Sequence, residues 1–198
     1  MDSLAEVDVQ DFEAALTRQQ LLPLQVVQMG IAAGAVAFAG VVAFLATSGQ
    51  FGPKEPEPSG LLVVQVLTVA HFAVFCAGYV VGGMLSRAQF SPERLSRAMG
   101  KTFRGPTGQA VKDPPGKCLA IIRTATILRL ALLDAGATLG LATCLVAQAM
   151  GVLGEQPAYW ANVATTPILV AYAALTFPTA ARVRGIFLDH IAAARRPD

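Results

Sequence analysis

The chain has 198 residues, 54% of them apolar and 14% charged, with a formal net charge of +2. Ordinary soluble domains carry about 25% charged residues, so this composition belongs to the membrane class. No Walker loop, dinucleotide glycine fingerprint, HExxH or GxSxG occurs, which removes the soluble-enzyme chemistries that those motifs serve.

The charges are segregated. No Asp, Glu, Lys or Arg occurs over 24–53, 58–86, 135–154 or 156–181. Each run reaches the roughly 20 residues that an α-helix needs to cross about 30 Å of hydrocarbon. The runs are continuous and rich in Ala, Leu and Val, where barrel strands would alternate strictly over about ten residues. The expected fold is an all-α integral membrane bundle of four transmembrane helices, a single membrane domain with spans at about 24–47, 61–85, 125–153 and 159–177.

Residues 1–22 read as an acidic helix in which Ala5, Val9, Phe12 and Leu16 form a weakly apolar stripe at helical spacing. It is expected to lie on the membrane or against a neighbour. Pro23 suits a first helical turn, where its missing N–H costs nothing, so the first span is expected to begin there and to be retained, not cleaved. Gly30 and Gly34 make a GxxxG step in the first span, Gly78 and Gly82 one in the second, and Gly136 and Gly140 one in the third. Small residues four apart let helix backbones approach closely, either within the bundle or in a homodimer, although glycine is also simply common in such helices.

Between the second and third spans lies a basic loop, 86–117. Ser91-Pro92-Glu93 reads as a cap, a first-turn proline and a first-turn acid, with Gly100 ending that helix. The rest, through Gly105-Pro106, Gly108 and Pro114-Pro115-Gly116, reads as irregular. Tyr159 and Trp160 are interfacial anchors by type, and Pro167 inside the fourth span predicts a kink. Over 179–196 the residues Val183, Ile186, Phe187, His190 and Ile191 share one face, which reads as an interfacial amphipathic helix in preference to a nucleic-acid recognition helix.

Lys and Arg in short loops set orientation. Arg87, Arg94, Arg97, Lys101, Arg104, Lys112 and Lys117 lie in the long loop and Arg182, Arg184, Arg195 and Arg196 in the tail, against Lys54 alone on the other side. Both termini and the loop are therefore expected in the cytoplasm. The acidic N-terminal segment faces the same side as the basic loop and is expected either to dock on it or to stand unpartnered. The composition, 11 Arg against four Lys with abundant Ala, points to a GC-rich bacterium, and the expected location is its inner membrane.

The polar residues that could carry chemistry are few. On the third helix Arg123, Thr138 and Gln148 fall within about 40° of Asp134 at ~100° per residue, a thin stripe that should face other helices. In the second span His71 shares a face with Gly78 and Gly82. An intramembrane histidine and aspartate could form a proton relay. If the third helix leaves the membrane near Gly154, however, Asp134 lies at the cytoplasmic boundary, roughly 15 Å from His71 along the normal. Cys76, Cys118 and Cys144 form no CxxC pair and read as buried small hydrophobes. No metal site and no cofactor are expected.

The segment Arg129-Leu-Ala-Leu-Leu-Asp134-Ala-Gly136-Ala-Thr-Leu-Gly140, followed by an apolar half-helix and a last span ending in Phe177-Pro178-Thr179, resembles small four-span bacterial membrane proteins of unassigned function. The resemblance covers roughly the last 80 residues and implies a bundle fold. A carboxylate among small residues is also similar to the ion-carrying helix of rotary ATP synthase rings, but the long basic loop departs from that hairpin and its function is not carried over. The expected function is that of a non-enzymatic accessory or assembly subunit or an orphan helix bundle. Its partners would be the lipid bilayer and a membrane protein or a second copy, with no nucleic acid. The alternative is a proton- or small-solute-handling transporter subunit that uses Asp134 and His71. For a membrane-embedded enzyme no complete catalytic set can be named.

Overall fold

A computed structural model describes residues 7–48, 58–105 and 108–192. Among the described residues the chain is all-α apart from one short hairpin. Eight α-helices occur among the described residues: α1 Val9–Ala15, α2 Arg18–Thr47, α3 Gly60–Ala88, α4 Pro92–Met99, α5 Pro114–Ala149, α6 Val152–Glu155, α7 Thr165–Leu175 and α8 Ala180–Ile186. Strands β1 Phe103–Arg104 and β2 Ala110–Val111 pair antiparallel, with Phe103 opposite Val111. A 3₁₀ segment, Pro157–Ala164, runs directly into α7, and a π turn, Phe187–Ala192, continues α8. Helices α2, α3 and α5 are each long and apolar enough to cross a membrane. A fourth span results if Pro157–Leu175 and Ala180–Ala192 count as one bent pair.

The described residues fall into two compact units, one within Met1–Gln28, Gly83–Arg129 and Thr176–Asp198, the other within Met29–Gly82 and Leu130–Leu175. The first has a hydrophobic core of its own. Phe12 of α1, Leu95 and Met99 of α4, Cys118 and Ile122 of α5, and Val183, Phe187 and Ile191 of the C-terminal segment are buried together. The rings of Phe12 and Phe187 stack 4.0 Å apart. Here the structure corrects the expectation for 179–196 as far as 192, the rest lying outside the described residues: Val183, Phe187 and Ile191 are buried in protein, so that face is not free to lie on lipid. The N-terminal segment enters the same core, and its Glu13 pairs with Arg184 of the tail, not with a base of the loop.

Several boundaries differ from those expected. Helix α2 begins five residues before Pro23, which sits inside it. A proline there supplies no N–H to the Gln19 carbonyl four residues back and crowds the preceding turn; Arg123 Nη2 bonds the next carbonyl, that of Gln20, at 3.1 Å. The loop is shorter than expected because Pro114 and Pro115 open α5, where a missing N–H is harmless. Asp113 accepts the Gly116 N–H at 2.8 Å at that helix start. Part of the segment read as irregular is the β1–β2 hairpin. The third helix stops at Ala149, and Gly151 takes a left-handed φ of +74° that favours glycine before α6.

In the second unit α3 and α5 run antiparallel in close contact. A Cβ on Gly78 would stand 2.6 Å from the Leu132 carbonyl oxygen, and one on Gly136 would stand 2.8 Å from Phe75 Cα. Ala35 of α2 and Leu169 of α7 complete the adjoining core with Phe75, Leu133 and Ala137. Much of what remains outward is large and apolar, including Val36, Phe44, Leu62, Val66, Val69, Val80, Ile168 and Leu175.

Candidate functional site

The most concentrated polar chemistry of the second unit is a buried cluster on α3, the 3₁₀ segment and the start of α7. Helix α3 supplies Thr68 and His71, one turn apart on one face. In the 3₁₀ segment, residues three apart stand one above the other, so Asn162 lies over Tyr159 and its Nδ2 reaches the Tyr159 carbonyl at 2.9 Å. The same Nδ2 donates to Thr68 Oγ1 at 3.1 Å. Thr165, the first residue of α7, places its hydroxyl against His71 Nε2 at 3.0 Å. His71 and Asn162 are fully buried and Thr165 nearly so.

These contacts fix the directions of the hydrogen bonds. With both donors of the Asn162 amide committed to oxygens, its Oδ1 faces His71 Nδ1 at 2.9 Å. An amide oxygen only accepts, so Nδ1 carries the proton. On the neutral ring Nε2 then accepts from the Thr165 hydroxyl. That hydroxyl also stands 3.3 Å from the Asn162 carbonyl, which gives its proton a second acceptor. Both ring nitrogens are thereby engaged, as buried polar groups require.

Glycine makes the cluster possible. A Cβ on Gly140 of α5 would stand 2.4 Å from the Asn162 carbonyl oxygen and 2.6 Å from His71 Nε2. One turn on, Cys144 Sγ donates to the Tyr159 carbonyl at 3.6 Å. The proline expected to kink the fourth span works differently. Pro167 lies in the first turn of α7, and the change from 3₁₀ to α geometry occurs just before it. The helical stretch Pro157–Leu175 thus changes its winding next to the proline, where an N–H is missing from the ladder.

The polar stripe expected on the third helix is not assembled. Asp134 is half-buried on α5, six residues and about 9 Å along the axis from Gly140, and both nitrogens of His71 are taken by Asn162 and Thr165. The structure thus does not form an Asp134–His71 relay. Thr138 is exposed, Gln148 is half-buried and bonded, and Arg123 belongs to the other compact unit, bound to Gln20. Of the glycines, Gly78, Gly136 and Gly140 sit at close approaches and Gly82 is buried. Gly30 and Gly34 are exposed, with nothing within 4 Å of a Cβ, so among the described residues the first GxxxG step packs on no other part of this chain.

Asn162, Thr165 and Thr68 were missed as site residues. The available signal was compositional: Asn162, Thr165 and Thr166 crowd the start of an otherwise apolar run, and polar residues in such runs seek partners on other helices. No protein-family model matches the chain, and neither a curated protein nor a solved structure matches it.

Proposed function

We propose that this chain is a four-span integral membrane protein, a non-enzymatic accessory or assembly subunit that acts through helix packing. The observation that carries the functional part is that the buried polar cluster is closed on itself. His71, Asn162, Thr165 and Thr68 satisfy one another, which is what a clasp between helices in lipid needs. The close α3–α5 contact through Gly78, Gly136 and Gly140 fits the same role.

The span number draws support from the first compact unit. The N-terminal segment, α4 and the C-terminal segment share one core, so they lie on one side of any membrane, which requires an even number of crossings. Helices α2 and α3 supply two and α5 a third. The fourth is Pro157–Leu175: eight residues at about 2.0 Å and eleven at about 1.5 Å cover roughly 32 Å, about the hydrocarbon thickness. The eleven bases of the loop and tail then face the cytoplasm of a bacterial inner membrane.

A second reading, proton handling at His71, has one observation in its favour. The Thr165 hydroxyl can donate to a neutral ring or accept from a protonated one while turning its own proton to the Asn162 carbonyl, so the ring can change charge without losing a bond. Reconstituted vesicles with an internal pH dye separate the readings. Proton leakage equal to that of empty vesicles supports the packing role, and a flux abolished by His71→Ala overturns it. Labelling of Glu155→Cys from outside and of Arg94→Cys from inside the cell tests the topology, and labelling of both from one side refutes it.

A further inference from the structure

Within the first compact unit a cavity of about 280 Å³ opens between the end of α1, the β1–β2 hairpin and the first turns of α5. Thr17, Gln20, Arg104, Asp113, Leu119 and Arg123 are among its lining residues. Arg123 is half-buried and Arg104 exposed, and neither has a carboxylate within 4.0 Å among the described residues. A guanidinium drawn out of water without a counter-charge is costly. Arg123 offsets part of that cost through its Nη2 bond to the Gln20 carbonyl, but its Nε–H is buried with no hydrogen-bond partner among the described residues. The one carboxylate in the lining, Asp113, is held at the start of α5 by the Gly116 N–H.

We infer that this cavity is a binding site for a phosphate-type oxyanion, held by Arg123 from within and Arg104 at the rim. A planar guanidinium with an unused donor is suited to a tetrahedral oxyanion, and charge-assisted bonds of this kind are the strong ones. The volume is at the small end of ligand pockets, which start near ~300 Å³, so it suits one phosphate group with a short attachment and not a nucleotide. The phosphate belongs either to a small soluble ester or to a lipid headgroup. The inference rests on the first unit alone and does not depend on the number of spans or on the role of His71.

The test uses the full chain in nanodiscs, with inorganic phosphate as the soluble probe and phosphatidic acid in a phosphatidylcholine disc as the lipid probe. Binding of inorganic phosphate in pure phosphatidylcholine, measured by calorimetry, is expected to weaken about tenfold or more in Arg123→Gln and about threefold in Arg104→Gln. Arg94→Gln removes the same charge from α4, outside this cavity, and is expected to leave binding within about twofold. Arg104 is exposed, so its variant keeps the test decisive if Arg123→Gln does not fold. Loss of phosphate binding when phosphatidic acid is present assigns the site to a headgroup, and unchanged binding assigns it to a soluble ester. No binding of either probe overturns the inference, as does an equal loss in Arg94→Gln and Arg104→Gln, which would mean only diffuse positive charge.

Discussion

Replacing Asn162 by alanine tests the buried cluster most directly. The side chain makes three hydrogen bonds, to His71 Nδ1, Thr68 Oγ1 and the Tyr159 carbonyl. The two bonds to α3 average about 0.6 kcal/mol each by the measure of side-chain bonds between helices in lipid, and with the local bond to Tyr159 at about 0.5–1 kcal/mol the three together are worth about 2 kcal/mol. The His71 Nδ1–H is also left without an acceptor in a site closed to water, which adds on the order of 1 kcal/mol or more. The expected cost is therefore about 3 kcal/mol, roughly a hundredfold in the folding equilibrium. Unfolding in mixed micelles by increasing the denaturing detergent fraction reads this number. Combining Asn162→Ala with His71→Leu supplies the control: with both partners gone no donor is stranded, so the double variant should be more stable than the sum of the single effects predicts, by about 1 kcal/mol or more. Additive effects, or an Asn162→Ala variant within about 0.5 kcal/mol of the parent, would refute the reasoning.

Glycine substitutions should split by position. Gly136→Ala and Gly78→Ala drive a Cβ against backbone atoms that cannot move aside and should each cost about 1–3 kcal/mol. Gly34→Ala meets nothing and should leave the melting temperature in detergent unchanged or raise it, since alanine favours a helix by about 0.5–1 kcal/mol. Phe187→Ala removes a fully buried ring stacked on Phe12 and should cost about 3–5 kcal/mol, seen as rapid proteolysis of the C-terminal segment. By contrast, Glu13→Gln breaks a pair whose side chains are 51% and 43% exposed and should change stability by less than about 1 kcal/mol. A large effect there would mean that the ion pair, and not the Phe12 stack, holds the N-terminal segment.

Much of the architecture was legible because it follows from solvation along a single segment. Uncharged runs of about twenty residues mark helices that hydrocarbon can hold, and α2, α3 and α5 coincide with three of them. Ser91, Pro92 and Gly100 bracket α4, since caps and breakers act within one turn. Pro23 and Pro114-Pro115 were misjudged because a proline marks only a place where no N–H is given, which can be a helix start, as at Pro114, or the second turn of a helix, as at Pro23. The period of Val183, Phe187 and Ile191 states that a face must be buried, but lipid and protein satisfy that demand equally, and only packing decided for Phe12. Similarly, the spacing on α5 aligned Asp134 with Thr138 and Gln148, whereas the polar partners of His71, Asn162 in the 3₁₀ segment and Thr165 at the start of α7, lie 91 and 94 residues away in the chain. Hydrogen bonds depend on distances and directions between atoms of separate helices. Periodicity within one helix contains no information about those distances, so the sequence determined which segments are long and apolar enough to cross a membrane, and the tertiary structure decided which of their side chains meet.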